Sequence, residues 1–118
     1  YKKQEKGIEL KIRKQGEIYI IDVSGDMDLY NTNQLKELFM KMLAKDIDSF
    51  VINLENVSYI DSSGVGTLIN IFSTVKQKNL KFYLANVHGT TKKVLELTKL
   101  MGFFPIAPNV EEALKAMQ

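Results

Sequence analysis

"SFVINLENVSYIDSSGVGTL", Ser49–Leu68, carries the passage from a strand into a helix. Its opening, "SFVINLE" (Ser49–Glu55), is apolar without strict alternation, as expected of a short strand covered on both faces in a parallel sheet. After the polar seam "DSSG", residues Val65, Leu68, Ile69, Phe72 and Val75 keep the spacing of one helix face up to about Lys78. Strand, tight polar seam, helix: this is the core of a β-α unit, and the flanking chain is best tested against it.

Upstream, "IELKIRK" (Ile8–Lys14) alternates, with Ile8, Leu10 and Ile12 on one face and Glu9, Lys11 and Arg13 on the other. That pattern predicts a strand with one wet face near a sheet edge. Gln15-Gly16 supplies a turn into "EIYIIDVSG" (Glu17–Gly25), apolar on both faces and so more central, and the two strands form a hairpin. A polar connection, Gly25–Gln34, leads to a helix on Leu35, Leu38, Phe39, Met42 and Leu43, with Asn31 as cap and Gln34 completing a capping box.

Downstream, "LKFYLA" (Leu80–Ala85) alternates as a strand. A third helix is predicted from about Thr90 to Met101, a last short strand over "FFPIA" (Phe103–Ala107), and a terminal helix capped by Asn109 with Glu112 three residues on. The order β-β-α-β-α-β-α-β-α predicts a single α/β domain over residues 1–118. Its sheet is mostly parallel, with an initial β-hairpin, right-handed crossovers and about four helices. No linker, repeat or low-complexity segment interrupts it.

Composition narrows the function. The chain has 118 residues, 45% hydrophobic and 25% charged, in the range of an ordinary globular domain. A net charge of +2, with lysines scattered, gives no basis for direct nucleic-acid binding. The densest cluster, "YKKQEK" at residues 1–6, reads as a solvated, flexible terminus. Cysteine is absent, which removes disulfides and thiolate metal sites and is compatible with a cytoplasmic protein. No apolar run approaches the ~20 residues of a membrane span, and no signal peptide opens the chain. It begins with Tyr1 rather than Met, as a trimmed chain or a piece of a longer protein does.

The seam admits several chemistries. A nucleophile elbow requires G-x-S-x-G, but Ile60 stands at the first glycine position, and the sole histidine, His88, lies beyond another strand. A Walker loop requires a lysine after the second glycine. The dinucleotide fingerprint requires a third glycine where Ile69 sits. Asp26, Asp28 and Asp61 could meet at strand ends and would suit Mg²⁺ or Ca²⁺, but solvated loop aspartates explain them more simply, so no metal or cofactor is assigned. Asp61 or Ser62 caps the following helix. Gly64 and Gly66 each weaken its first turns by up to ~1 kcal/mol relative to alanine, which points to a bare surface for another backbone. A phosphoryl group on Ser62 would add roughly −1.5 to −2 charges beside unpaired helix N–H groups, turning the seam into an interface switch.

"VSYIDSSGVGTL" (Val57–Leu68) resembles the signature of anti-sigma factor antagonists, single-domain members of the STAS family. "VSGDMDLYN" (Val23–Asn31) resembles the family's G-[ED]-[LIM]-D segment, and "TTKKVLELTKL" (Thr90–Leu100) its helix near the C-terminus. The likeness, element order included, covers nearly the whole chain. It departs at Lys99, where members often carry glycine, and at His88-Gly89, which replaces Ser-Pro.

The resemblance implies a bacterial partner-switching regulator of stress response or sporulation that is not itself an enzyme. Ser62 matches the phosphoacceptor. Asp28, Asp61, Ser63, Gly64 and Gly66 match the surrounding switch loop. The implied partners are an anti-sigma factor with serine kinase activity, which binds the unphosphorylated form, and a metal-dependent serine phosphatase; ATP and metal belong to those partners. A free antagonist would be a monomer or weak dimer without a membrane anchor. The same domain also occurs as a scaffold subunit of stress-sensing complexes and as an accessory domain of transport systems.

Overall fold

A computed structural model describes residues 7–118; the expectation of a flexible terminus at 1–6 lies outside them. Strands β1 (Ile8–Gln15), β2 (Ile18–Met27), β3 (Ser49–Ile60), β4 (Lys81–Ala85) and β5 (Ile106–Ala107) form one sheet in sequential order. The β1–β2 pair is antiparallel, with Gln15 opposite Ile18, and the other neighbours are parallel, so the hairpin and the mostly parallel sheet are both as expected. Helices α1 (Thr32–Ala44), α2 (Ser62–Gln77), α3 (Gly89–Leu97) and α4 (Val110–Met117) complete the domain.

Period-two alternation divides the core between the two faces of the sheet. On one face Ile21, Val23, Phe50, Ile52, Leu54 and Leu84 pack with the apolar stripes of α1 and α2. Leu35 and Phe39 of α1 are sealed there, the Phe39 ring 4.8 Å from that of Phe50, and Leu68 and Ile71 of α2 complete the layer. On the other face Ile18, Ile20, Val51 and Ala85 meet Ala113, Leu114 and Met117 of α4. Phe50, Val51 and Ile52 are all fully buried, which is why this strand carries an unbroken apolar run.

Several details differ from the sequence reading, among them the end of β2, which runs on to Met27 rather than stopping at Gly25. Strand β3 continues to Ile60 because irregularities in its register against β2 accommodate the polar residues after Leu54: Asp22 faces Asn53 but Ser24 faces Asn56. Strand β5 shrinks to Ile106–Ala107, since Phe103 and Phe104 turn into an aromatic cluster with Phe72, at 5.4 and 5.8 Å between ring centroids. Asn31 makes no side-chain cap on α1. Helix α3 stops at Leu97 rather than near Met101, because Lys99 adopts φ +61°. The Leu100 N–H then donates to the Leu95 carbonyl at 2.8 Å and the Lys99 N–H to that of Glu96 at 3.1 Å, a Schellman closure. Helices α1 and α2 end the same way, with Asp46 (φ +63°) and Asn79 (φ +57°) in the left-handed position.

A polar ladder crosses the more open sheet face. Arg13 Nε and an Nη donate to the two Asp22 carboxylate oxygens at 2.6 and 2.8 Å. Asn53 Nδ2 donates to Asp22 Oδ1, and Asn86 Nδ2 to Asn53 Oδ1, each at 2.8 Å. Partial burial pushes the Asp22 carboxyl up, but the hydrogen bonds from Arg13 and Asn53, with the charges of Arg13 and Lys11, outweigh it and hold the group below its ordinary value. Among the described residues, no helix is long and apolar enough to cross a membrane.

Candidate functional site

Met27 and Ile60 are partners at the ends of β2 and β3, so Asp28 and Asp61 leave the sheet side by side. The Asp61 N–H donates to the Met27 carbonyl at 3.2 Å, tying the two exits together. Asp61 is extended, at φ −115° and ψ −171°, and occupies the N-cap of α2. Its Oδ1 accepts from the N–H groups of Ser63 at 2.8 Å and Gly64 at 3.1 Å, the second and third helical positions that a capping carboxylate reaches. Its Oδ2 accepts from Leu29 N–H at 3.3 Å, in the neighbouring loop. One carboxylate thus staples a helix end to a loop from another strand.

Asp28 orders the turn that leads into α1, ahead of the cap position expected at Asn31. Its Oδ1 accepts from the N–H groups of Tyr30 at 3.0 Å and Asn31 at 3.1 Å, and its carbonyl accepts from Thr32 N–H at 2.9 Å. Both aspartates point into backbone N–H groups, and among the described residues no three His, Cys, Asp or Glu side chains gather to hold a metal ion. Asp26 lies one pair back from the strand ends, opposite Tyr59.

Ser62 opens α2 and is exposed, Ser63 is half-buried, and Gly64 is buried. The helix N–H groups expected to be free beside Ser62 are largely taken: Asp61 Oδ1 holds those of Ser63 and Gly64, and the Asp61 carbonyl holds that of Val65 at 3.0 Å. Asp61 therefore already holds most of the first-turn N–H groups, and the exposed Ser62 stands outside that set.

The two glycines differ. A Cβ on Gly64 would overlap the Met27 carbonyl oxygen and stand 2.7 Å from Ile60 Cγ1, so glycine lets α2 start directly against the strand ends. This corrects the expectation of a bare surface at Gly64. At Gly66 a Cβ would meet nothing within 4 Å, and the helix surface there is bare.

Beside this seam the loop exposes Leu29 and Tyr30, at 67% and 85% of their accessible surface. The sequence carried a signal for them, two large apolar residues within a polar connection, which a reading of the loop as a mere helix approach passes over. His88 lies before α3 and makes no side-chain cap. Its Nε2 is 2.7 Å from the Glu55 carbonyl oxygen, which only accepts, so that nitrogen carries the proton.

Fold and seam together define an α/β domain that displays a serine hydroxyl at a helix N-terminus held between two strand ends. The chain belongs to the STAS domain family, whose family model matches residues 9–113. An anti-sigma-B factor antagonist of Staphylococcus aureus is 26% identical over 104 residues, covering 88% of this chain and 96% of that protein. Among solved structures, an anti-sigma factor antagonist from Mycobacterium paratuberculosis superposes with a TM-score of 0.84 at 24% identity, covering 92% of both chains. The Bacillus cell fate determinant SpoIIAA in its phosphorylated form superposes with a TM-score of 0.72 at 21% identity, over 93% of this chain and 100% of that one.

Proposed function

We propose that this chain is an anti-sigma factor antagonist, a regulator rather than an enzyme, switched by phosphorylation of Ser62. The unphosphorylated domain binds an anti-sigma factor that is also a serine kinase, and so releases a sigma factor for transcription. Phosphorylation ends that binding, and a serine phosphatase restores it. Family membership and the names of the S. aureus and M. paratuberculosis relatives support the antagonist reading.

The observation that carries the switch is the position of Ser62: exposed, at the first residue of α2, beside a carboxylate that already holds the neighbouring helix N–H groups. A phosphoryl group there has no free first-turn N–H at Ser63 or Gly64 to neutralise it. Its roughly −1.5 to −2 charges would stand beside the Asp61 carboxylate. At a separation of ~6 Å their mutual repulsion is on the order of 1 kcal/mol in water and several times that at a dehydrated interface. The fold tolerates the group because it faces solvent; a partner covering Ser62, Leu29, Tyr30 and the bare helix surface at Gly66 does not.

The test is to incubate the purified chain with its cognate kinase and ATP, map the phosphate, and measure kinase affinity before and after by calorimetry. Labelling at Ser62 alone, abolished in Ser62→Ala, with at least a tenfold loss of affinity on phosphorylation, is expected. Phosphate at another residue, or unchanged affinity, would overturn the assignment. Sizing chromatography near 13.5 kDa or twice that mass is expected of a free antagonist, whereas a scaffold subunit elutes as a far larger particle.

A further inference from the structure

An apolar groove of about 250 Å³ opens between α1 and the β1–β2 hairpin, away from the seam. Met42 forms its buried floor, Leu38, Tyr19 and Ile47 are half-buried walls, and Ile12 stands 47% exposed at the lip. Lys41, in the last turn of α1, and Lys45, at its C-cap, complete the lining, which contains no carboxylate. A third ammonium, that of Lys14, lies 5.4 Å from the Tyr19 ring centroid. The neighbouring acids open elsewhere: Asp46 and Asp48 line a separate depression with Lys78 on the far side of Ile47, and Glu37 accepts from Asn33 Nδ2 at 3.0 Å. Lysines in a last helical turn complement the helix dipole, but two full charges exceed that half-charge and leave the groove rim positive.

We propose that this groove docks an acidic amphipathic helix of a partner protein, at a surface separate from the Ser62 seam. The cleft is open along α1 and suits side chains projecting from a helix laid across it. Two lysines four residues apart, rising ~6 Å along the axis, match carboxylates at i and i+4 of a facing helix. Lys41 and Lys45 lie ~14 and ~20 Å along α1 from its first residue, beyond a Debye length at physiological salt from the loop that Asp61 staples. Docking here is therefore indifferent to the phosphorylation state of Ser62, so one partner can stay attached while the seam engages and releases another.

The test titrates isotope-labelled chain with a synthetic amphipathic helical peptide bearing leucines at i, i+3, i+4 and i+7 flanked by glutamates. A matched peptide with lysine in place of glutamate is the control, and amide shifts are followed by NMR. Saturable shifts at Ile12, Tyr19 and Leu38–Ile47 with the acidic peptide alone are expected. Lys41→Glu/Lys45→Glu should weaken binding about tenfold or more, Ser62→Asp should leave it unchanged, and raised salt should weaken it. Both lysines are exposed, and an unchanged unfolding midpoint in the double variant verifies that its fold is intact. The proposal is overturned by equal binding of the two peptides, by no saturable binding, by shifts centred on Leu29 and Ser62, by an unaffected double variant, or by concentration-dependent shifts at the groove without peptide, which would mark self-association.

Discussion

Replacing Gly64 and Gly66 by alanine, one at a time, adds the same methyl group two residues apart on one helix, and the structure requires opposite outcomes. At Gly66 the new Cβ meets nothing within 4 Å. The change therefore removes the helix penalty of glycine and should stabilise the fold by ~0.5–1 kcal/mol. At Gly64 the Cβ would overlap the Met27 carbonyl oxygen, stand 2.7 Å from Ile60 Cγ1 and 3.0 Å from Met27 Cβ. Two of those atoms belong to Met27, whose carbonyl also accepts from Asp61 N–H, so the helix start must lift away from the strand ends. Overpacking of this kind costs about 1–3 kcal/mol, and a backbone obstacle places it toward the upper end. Less the propensity gain, Gly64→Ala should destabilise by ~2 kcal/mol. Urea unfolding followed by far-UV circular dichroism reads both, with the two midpoints moving apart by the equivalent of ~3 kcal/mol. In thermal melts Gly66→Ala should rise a few degrees. Shifts of the same sign would refute the packing account of the seam. If the bare surface at Gly66 is where a partner's backbone lies, the more stable Gly66→Ala protein should also bind the anti-sigma factor more weakly, separating stability from recognition.

Lys99→Gly should raise stability by ~1 kcal/mol, because Lys99 holds φ +61° without the local hydrogen bonding open to Asp46 or Asn79; an unmoved urea midpoint would contradict this. Asp61→Ala should cost ~1 kcal/mol through the lost cap and speed hydrogen exchange at Ser63, Gly64 and, distinctively, Leu29; unaltered exchange at Leu29 would show that the staple is not operative. The Asp22 carboxyl titrates below its ordinary value in the folded chain, so its contribution is full above the unfolded value near 4 and is lost as pH falls through the lowered folded value. Asp22→Asn should therefore flatten the acid limb of a stability–pH curve, by up to ~1 kcal/mol given the half-exposed Arg13 partner, and an identical acid limb would argue against the ladder.

How far the fold was legible follows from what each element asks of its own residues. Alternation in β1, the continuous run of β3 and the helical stripes of α1 and α2 reflect burial on fixed faces, and burial is written directly into residue type. The cap at Asn109 was legible too, as was one at Asp61 or Ser62, of which Asp61 serves, since a short polar side chain one residue ahead of a helix lies within reach of its free N–H groups. The end of α3 was not. Nothing in "ELTKLMG" distinguishes a lysine that turns left-handed from one that continues the stripe, and the turn exists because Leu100 closes back on the Leu95 carbonyl. Nor was the missing cap of α1 legible: Asn31 has the right chemistry and position, but Asp28 folds Tyr30 and Asn31 into a turn ahead of the helix, and Asn31 is left with φ −116° and ψ −26° rather than the extended backbone of a capping residue.

At the seam the sequence alone determined a hydroxyl between a buried strand and an amphipathic helix, with an acid beside it, because these are local properties of consecutive residues. The tertiary structure decided which glycine is spent on packing and which lies open, since only the approach of β2 brings the Met27 carbonyl against Gly64. It also decided that Asp61 grips Leu29 and that Leu29 and Tyr30 stand exposed beside Ser62. Each of these depends on segments more than thirty positions apart meeting at the end of one parallel strand pair (Leu29 and Asp61 stand 32 apart), a distance over which neighbouring residues carry no information.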